Sequence, residues 1–348
     1  MREVYDVFVF TSDRDLGSTE AYPAIRTNSW QELQEGLSIY YCSPEMLGWQ
    51  NIRKQTKVIL PDFIYLNSMF SLKFTIYPLL INRLYMRDKV TVLSPRGMLR
   101  DSAIRFKTRK KKLFLNGLRM LGLHHGIRFH ATDRTEAQDI HRYFGSSSAV
   151  IVAPNFPGAI ASDVPGTVKT AGRLSMIYVG RIHPIKNLDF LLKVLREVSA
   201  KVTLTIVGSV EDEAYWEKCK KIISSLPDTV NVEYAGEIAN EEIQTITAKQ
   251  HIFVLPTSGE NFGHAIFEAL AVGKPVLISD QTPWRGLQAA GAGWDLALGK
   301  PGLFLAAIEE AGAFGQEEYE SRVRTTKKYL QDYIAGLNLK EEYQKLFS

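Results

Sequence analysis

Short unbroken apolar runs alternate along this chain with longer segments in which apolar positions recur every third or fourth residue. The unbroken runs read as strands. In the first half they are YDVFVFTS, DFIYLNS, KVTVLSPRG (running into a loop), IRFHATD and AVIVAPN, with a helix over Arg134–Tyr143 between the last two. The stretch FPGAIASDVPGTVKTAGRL is rich in Pro, Gly and small residues without periodicity, and reads as a linker between domains. Beyond it the rhythm is cleaner. Strands SMIYVG, VTLTIVG, VNVEYAG, HIFVLPT and PVLIS are separated by the helical segments LDFLLKVLREV, YWEKCKKIISSL, EEIQTITAK and AIFEALAVG. Strands separated by helices imply parallel βαβ units, hence an α/β fold with doubly wound sheets.

A chain of 348 residues is too long for one ordinary domain. The expected division is 1–165, 166–325 and a C-terminal segment 326–348. With 45% hydrophobic and 23% charged residues, the composition is that of a globular protein able to bury sizeable cores. No apolar run approaches the roughly 18 residues that a membrane-spanning helix needs. The opening residues, MREVYDVFVFTSDRD, lack the basic and then apolar regions of a signal peptide. Cys42 and Cys219 fit neither a disulfide framework nor a zinc site. A cytoplasmic location is expected.

Charge changes the picture. Residues 1–170 carry 23 Lys and Arg against 15 Asp and Glu, a balance of +8; the remainder carries 19 against 23, a balance of −4. Much of the excess lies in RFKTRKKKLFLNGLR, above all over residues 105–112. Two readings stand. The run is a solvated helix face, or it is a surface that meets phosphates of an anionic membrane or a phosphorylated lipid. Nucleic acid is not expected, because no aromatic platform is interleaved with the cations.

In doubly wound sheets ligands bind beyond the C-terminal ends of the strands, and in the second half those ends carry the chemistry. YVGRIHPIKN places Gly180, Arg181, Lys186 and Asn187 after the first strand. Two cations five apart in such a loop can converge on one polyphosphate, Arg by a bidentate fork and Lys as a point charge. Gly208 and Ser209 end the next strand, and Gly236, Glu237 and Ile238 the one after. Each glycine lets backbone approach a ligand. In PTSGENFGHAIFEALAVGKPV a helix begins near Gly263, and its free N–H groups and dipole suit a diphosphate. Glu260 precedes that turn and Glu268 lies inside the helix, so the two carboxylates bracket the anion. Carboxylates accept from sugar hydroxyls. Glu268 suits a ribose diol, and Glu260 the hydroxyls of a second sugar.

The arrangement Glu260-x7-Glu268 within SGENFGHAIFEALAVGKPV, with VGRIHPIKN upstream, resembles glycosyltransferase family 4. SPRGML, FHATDRTEA, VAPN and DQTPWRGL…GAGWDL are similar to a bacterial subset that builds capsule, O-antigen or exopolysaccharide. The resemblance implies a GT-B fold: two Rossmann-like domains whose parallel sheets face a cleft, with acceptor side first and donor side second. It implies a retaining hexosyl- or glycosyltransferase that uses a UDP- or GDP-type nucleotide sugar and neither metal nor other cofactor. It also implies roles. Arg181 and Lys186 bind the donor diphosphate, and Glu268 holds the ribose. Glu260 lies near the transferred sugar, Asn261, Phe262, Gly263 and His264 meet sugar or phosphate, and Ile238 flanks the base. His264 acts through its ring or through its backbone alone. Glu260, Arg181 and Lys186 form the catalytic set, in which the leaving diphosphate takes the proton of an acceptor hydroxyl attacking from the same face.

The resemblance covers most of residues 90–348 and departs at the start. Family members open with a strand, a Gly-rich loop and a long helix, whereas DLGSTEAYP carries the lone Gly17. The first domain is therefore expected to lack its central strand. Where many relatives place a His, VLSPRGML places Arg96 and Gly97; Arg96 either contacts a phosphate or acceptor, or is structural. His124, His125 and His130 have no metal-ligand spacing, no DxD-like pair stands out, and the His183 side chain is incidental. The C-terminal segment should form two helices broken near Gly336 and Leu337, the second burying Tyr343, Leu346 and Phe347 against the first domain. The expected acceptor is a glycan or a lipid-linked glycan, which would make the protein peripheral on the inner face of the membrane. Two rivals share the fold: a non-catalytic subunit that binds a nucleotide sugar or partner protein, and a phosphorylase.

Overall fold

The computed structural model describes residues 4–15, 18–86, 89–104, 108–155 and 166–348. Gly17, Arg105, Lys107 and most of the expected linker lie outside the described residues. The chain divides into two compact units, Met1–Pro154 with Leu339–Ser348, and Asn155–Asn338.

In the second unit six strands, β8 (Arg173–Val179), β9 (Lys201–Val207), β10 (Val230–Gly236), β11 (Ile252–Leu255), β12 (Val276–Ser279) and β13 (Gly293–Leu296), form one sheet. Its order is β10-β9-β8-β11-β12-β13, and every pair is parallel. The apolar runs are unbroken because helices cover both faces: every residue of β11 and β12 is buried. The core joins Met176, Leu204, Phe253 and Leu277 of the strands to Leu191, Phe267, Phe304 and Ile308 of the helices. Polar groups secure the chain just ahead of β8. Lys169 Nζ donates to the carbonyls of Thr170, Gly312 and Phe314 at 2.9–3.1 Å. Lys274 Nζ donates to Thr167 Oγ1 at 2.7 Å and Tyr319 Oη at 3.0 Å.

The first unit holds two sheets. Strands β4 (Phe63–Leu66), β5 (Val90–Leu93), β6 (Ile127–Ala131) and β7 (Ala149–Val152) lie parallel in sequential order. A separate sheet is ordered β1-β3-β2, from β1 (Val7–Ser12), β2 (Trp30–Gln34) and β3 (Leu37–Cys42). Here β1 runs parallel to β3 and β2 antiparallel to it. The Leu339–Leu346 helix packs on this unit: Tyr343 and Leu346 are buried with Val92 and Ala153, and Arg128 Nη1 donates to Leu346 O at 2.7 Å. The preceding Gln316–Ala335 helix belongs to the second unit, so the division falls at 338 instead of 326.

Candidate functional site

The strand order of the second unit reverses between β8 and β11. Connections on either side of such a point run in opposite directions and leave a crevice at the carboxyl ends of the strands. The loops leaving β8 and β11 hold most of the residues singled out above.

From β8 the chain passes Gly180 and Arg181 into a 3-10 turn, Pro184–Lys186. The His183 ring caps it, Nδ1 accepting from Ile185 N at 3.2 Å, so this side chain has a structural task that spacing did not suggest. Asn187 closes the turn at φ 60 and leads into the Leu188–Val194 helix. The β11 loop is fastened to the same turn. Ile185 O accepts from Ser258 N at 2.7 Å and from Thr257 Oγ1 at 3.1 Å. That attachment brings Lys186 Nζ to 2.5 Å from Glu260 Oε2, with each side chain only 15% exposed. Arg181 leaves the same strand end but reaches a different carboxylate, Glu211, at 2.5 Å on the open surface.

The helix expected at Gly263 is present as His264–Ala271. Gly263 has φ +79, and a Cβ there would stand 2.8 Å from Ile266 Cδ1 and 3.0 Å from Glu260 Cγ. Only glycine fits without displacing one of them. Phe262 is buried, and its carbonyl accepts from Trp284 Nε1 at 2.6 Å. Trp284, itself fully buried, thereby fixes the backbone entering the helix. The motif DQTPWRGL contains this Trp, but side-chain spacing assigns it no task. Glu268 lies in the second turn, half-buried, and burial pushes its carboxyl above the usual range. Among the described residues no hydrogen bond or ion pair reaches that carboxylate. Asn261 sits half-buried before the helix, and His264 is exposed with its ring 4.9 Å from that of Phe262.

The three strand-end glycines lie side by side. Gly180 N donates to Val207 O at 2.9 Å and Gly208 N to Gly236 O at 2.8 Å. Gly208, at φ +142, could not carry a side chain, since a Cβ would stand 2.2 Å from Gly180 O. Its glycine is dictated by strand packing. A Cβ at Gly180 would meet nothing closer than 3.7 Å, and at Gly236 nothing within 4 Å. Ser209 O accepts from Ile182 N at 2.8 Å, which ties the first two strand ends together, and Ile238 packs on the core.

Arg96 and Gly97 lie past β5 in the first unit, both left-handed at φ 53 and 74. For an arginine that conformation is strained. Arg96 Nε donates to Asn67 Oδ1 at 2.7 Å, and Nη2 donates to Tyr65 Oη at 3.0 Å. Tyr65 Oη stands 2.6 Å from His130 Nδ1, and His130 Nε2 stands 2.7 Å from Ala153 O. A carbonyl only accepts, so Nε2 carries the proton and Nδ1 accepts from Tyr65. The chain of bonds thus runs from Arg96 to the Ala153 carbonyl. Burial holds the His130 pKa down to about 4, and the ring is neutral. The fully buried Glu136 accepts from Gly97 N at 2.5 Å and from Thr132 N and Oγ1 at 2.7 Å. Among the described residues no three His, Cys, Asp or Glu side chains group as a metal site, and no helix is long and apolar enough to cross a membrane.

Residues 163–294 match the family described as Glycosyl transferases group 1. An uncharacterized 41.2 kDa protein in the cps region of Klebsiella pneumoniae is 30% identical over 110 residues, which cover 31% of this chain and 28% of that protein. O-antigen chain mannosyltransferase B of Escherichia coli is 28% identical over 112 residues, covering 30% of this chain and 28% of the relative. The matched segments thus span less than a third of the length of these two curated relatives. Among solved structures, sucrose-phosphate synthase from Thermosynechococcus elongatus matches with a TM-score of 0.69 at 16% identity, covering 98% of this chain and 89% of that one. Anabaena HepE in complex with UDP-glucose matches with a TM-score of 0.58 at 16% identity, covering 86% of each chain. These likenesses and the sheet order establish the GT-B fold.

Proposed function

We propose that this chain is a retaining glycosyltransferase of family 4 that moves a sugar from a UDP- or GDP-type donor to a glycan or lipid-linked acceptor. The product would be a bacterial surface polysaccharide such as capsule or O-antigen. One observation carries the reading. At the reversal of strand order, a paired Lys186 and Glu260, the Gly263-headed helix and an unpaired, half-buried Glu268 belong to two loops fastened to each other. A carboxylate desolvated without a partner is costly in the free protein, and a ribose diol would supply the missing donors. Lys186 and the helix N-terminus suit the diphosphate, with Arg181 as the outer cation. Glu260, released from Lys186, would take up hydroxyls of the transferred sugar.

In the reaction the nucleoside diphosphate leaves while Lys186, Arg181 and the helix end hold its charge. The acceptor hydroxyl attacks from the same face and gives its proton to the departing phosphate. Charge neutralisation by fixed cations and dipoles stands in this scheme where a metal would otherwise act. Work on a lipid-linked acceptor would place the protein at the cytoplasmic face of a membrane, with the basic run 105–112 toward anionic lipid. Support comes from the group 1 match and from the UDP-glucose bound to HepE, a protein of like fold.

A thermal-shift panel of nucleoside diphosphates tests the reading. One base should raise the melting temperature of the wild type and do so far less for Lys186→Ala. A panel in which no nucleotide shifts the wild type, or in which the variant responds equally, would overturn it.

A further inference from the structure

Three helices of the first unit, Trp49–Ile59, Tyr77–Tyr85 and Thr108–Met120, carry three, one and five Lys or Arg respectively and no Asp or Glu. Contacts join their ends. The Arg53 guanidinium lies 4.0 Å over the Tyr85 ring, with the Lys57 ammonium 5.4 Å away, and Arg83 Nη1 donates to Leu121 O at 2.6 Å. The basic helix faces inward through the buried Leu115 and Leu118, and Lys111 is folded back to donate to Ala103 O at 2.6 Å.

Its outward face is not simply charged. Leu113 is 75% exposed and Met120 is 88% exposed. They are seven positions apart, close to two turns at about 3.6 residues each, so they share one line along the helix. At about 100° per residue, Arg109 and Lys110 fall on either side of that line, and Lys112 and Arg119 fall farther round one flank. Leu121, 61% exposed, follows at the helix end about 100° round from Met120, on the Lys110 side and next to Arg83. A solvated face has polar residues at its centre; here Leu113 and Met120 hold the centre, with Arg109 and the exposed Asn116 close on one side and the other cations on the flanks. That is the pattern of a helix lying in a membrane interface. It does not suit nucleic acid, because the exposed ring of Tyr85 already has a guanidinium on its face.

We propose that this face docks on anionic phospholipid, with Leu113, Met120 and Leu121 entering at the acyl-chain boundary and Arg83, Arg109, Lys110, Lys112 and Arg119 meeting lipid phosphates. The inference deepens the membrane placement suggested above by adding an inserted apolar line to the electrostatic contact. It rests on that placement but not on the chemistry of the second unit. Electrostatic docking alone would fade as the Debye length falls from about 10 Å at 0.1 M salt to about 3 Å at 1 M. An inserted line leaves binding that salt does not remove.

The test is co-sedimentation of the full chain with vesicles of phosphatidylcholine alone or with added phosphatidylglycerol, at low and high salt. The variants are Lys110→Gln/Lys112→Gln/Arg119→Gln and Leu113→Ser/Met120→Ser, whose substituted residues are surface positions and should leave the melting curve and the nucleotide-induced shift unchanged. Wild type should bind the anionic vesicles far more tightly than the neutral ones at low salt, the residual neutral binding matching what high salt leaves on the anionic ones. The triple variant should lose on the order of a hundredfold in affinity at low salt. The Leu/Met variant should lose the salt-resistant part. Equal binding to both vesicles, or wild-type binding by both variants, overturns the proposal. So does binding to single-stranded oligonucleotide or self-association without vesicle binding, which would assign the face to nucleic acid or to a second copy. A normal nucleotide shift beside failed vesicle binding sinks this inference alone.

Discussion

Lys186 Nζ stands 2.5 Å from Glu260 Oε2, so the cation assigned to the donor diphosphate and the carboxylate assigned to its sugar hold each other in the free protein. A diphosphate must draw Lys186 away from Glu260 or share it. Glu260→Gln should therefore tighten binding of the free nucleoside diphosphate by a few-fold while damaging sugar transfer. Lys186→Ala should weaken that binding by roughly 1.5–3 kcal/mol, the range for charge-assisted hydrogen bonds. Calorimetry in which both variants lose nucleotide affinity equally would show that Glu260 serves the nucleotide directly.

Arg181 should matter less. Its side chain is 58% exposed and its partner Glu211 is 44% exposed, so water screens whatever charge it brings to a ligand. Arg181→Ala should cost less nucleotide affinity than Lys186→Ala, and the deficit should shrink as salt rises. A loss equal to that of the lysine variant and insensitive to salt would mean that the arginine swings inward on binding.

Glu268 sets stability against binding. Burial raises its carboxyl pKa and no described residue pairs with it, so the ionised form is a burden on the folded state at neutral pH. Glu268→Gln removes the charge and keeps the shape. Stability at pH 7 should be unchanged or up to about 1 kcal/mol higher, while nucleotide affinity falls about tenfold, roughly 1.4 kcal/mol. If the variant unfolds more easily than the wild type, the carboxylate has a structural task and the ribose assignment fails.

The two units were unequally legible in the sequence. In the second, the central strands β11 and β12 are buried apolar runs and β8, β9 and β10 each lead into a glycine, so β8 to β12 and the Gly263 helix followed directly. The first unit hid more. β2, the segment WQELQ, has no buried residue, and β3 alternates too briefly to separate from a loop. Within the site, the residue types were legible and their pairings were not. Lys186 and Glu260 are 74 residues apart, and the residue types alone suggest a ligand as the partner of each. Trp284 meets a backbone carbonyl, and a backbone partner leaves no mark in side-chain spacing. The relay through Tyr65 and His130 was likewise out of reach, since it depends on the order of β4 to β7.

Gly208 and Gly180 provide a contrast at two neighbouring strand ends. An added Cβ at Gly208 would lie 2.2 Å from Gly180 O, and its φ of +142 disfavours any side chain. Gly208→Ala should cost at least about 2 kcal/mol. Gly180→Ala, whose nearest neighbours are at 3.7 Å, should fold with near-normal stability. Any nucleotide affinity lost in Gly180→Ala would then report a backbone approach by the ligand. Denaturant melts of both variants check the first point. Equal stability of the two would remove the packing explanation for Gly208.

His130 should make the first unit sensitive to mild acid. Its ring is buried between Tyr65 and the Ala153 carbonyl, and burial lowers its pKa from the ordinary 6.5 to about 4. The unfolded chain takes up a proton as the pH falls through about 6.5, whereas the folded chain does not until about 4. Between those values the unfolded state holds more protons, so stability is lost as the pH falls across that window. At about 1.4 kcal/mol per pKa unit, the full loss is on the order of 3 kcal/mol. Denaturant unfolding from pH 7.5 to 4.5 should show the decline in the wild type. His130→Gln, which can still donate to the Ala153 carbonyl, should flatten it by about one proton. Tyr65→Phe breaks the bonds to Arg96 and to the ring without removing the titrating group, so it should lower stability at every pH and keep most of the slope. A decline that survives in His130→Gln unchanged would assign the acid sensitivity elsewhere and leave the relay as packing alone.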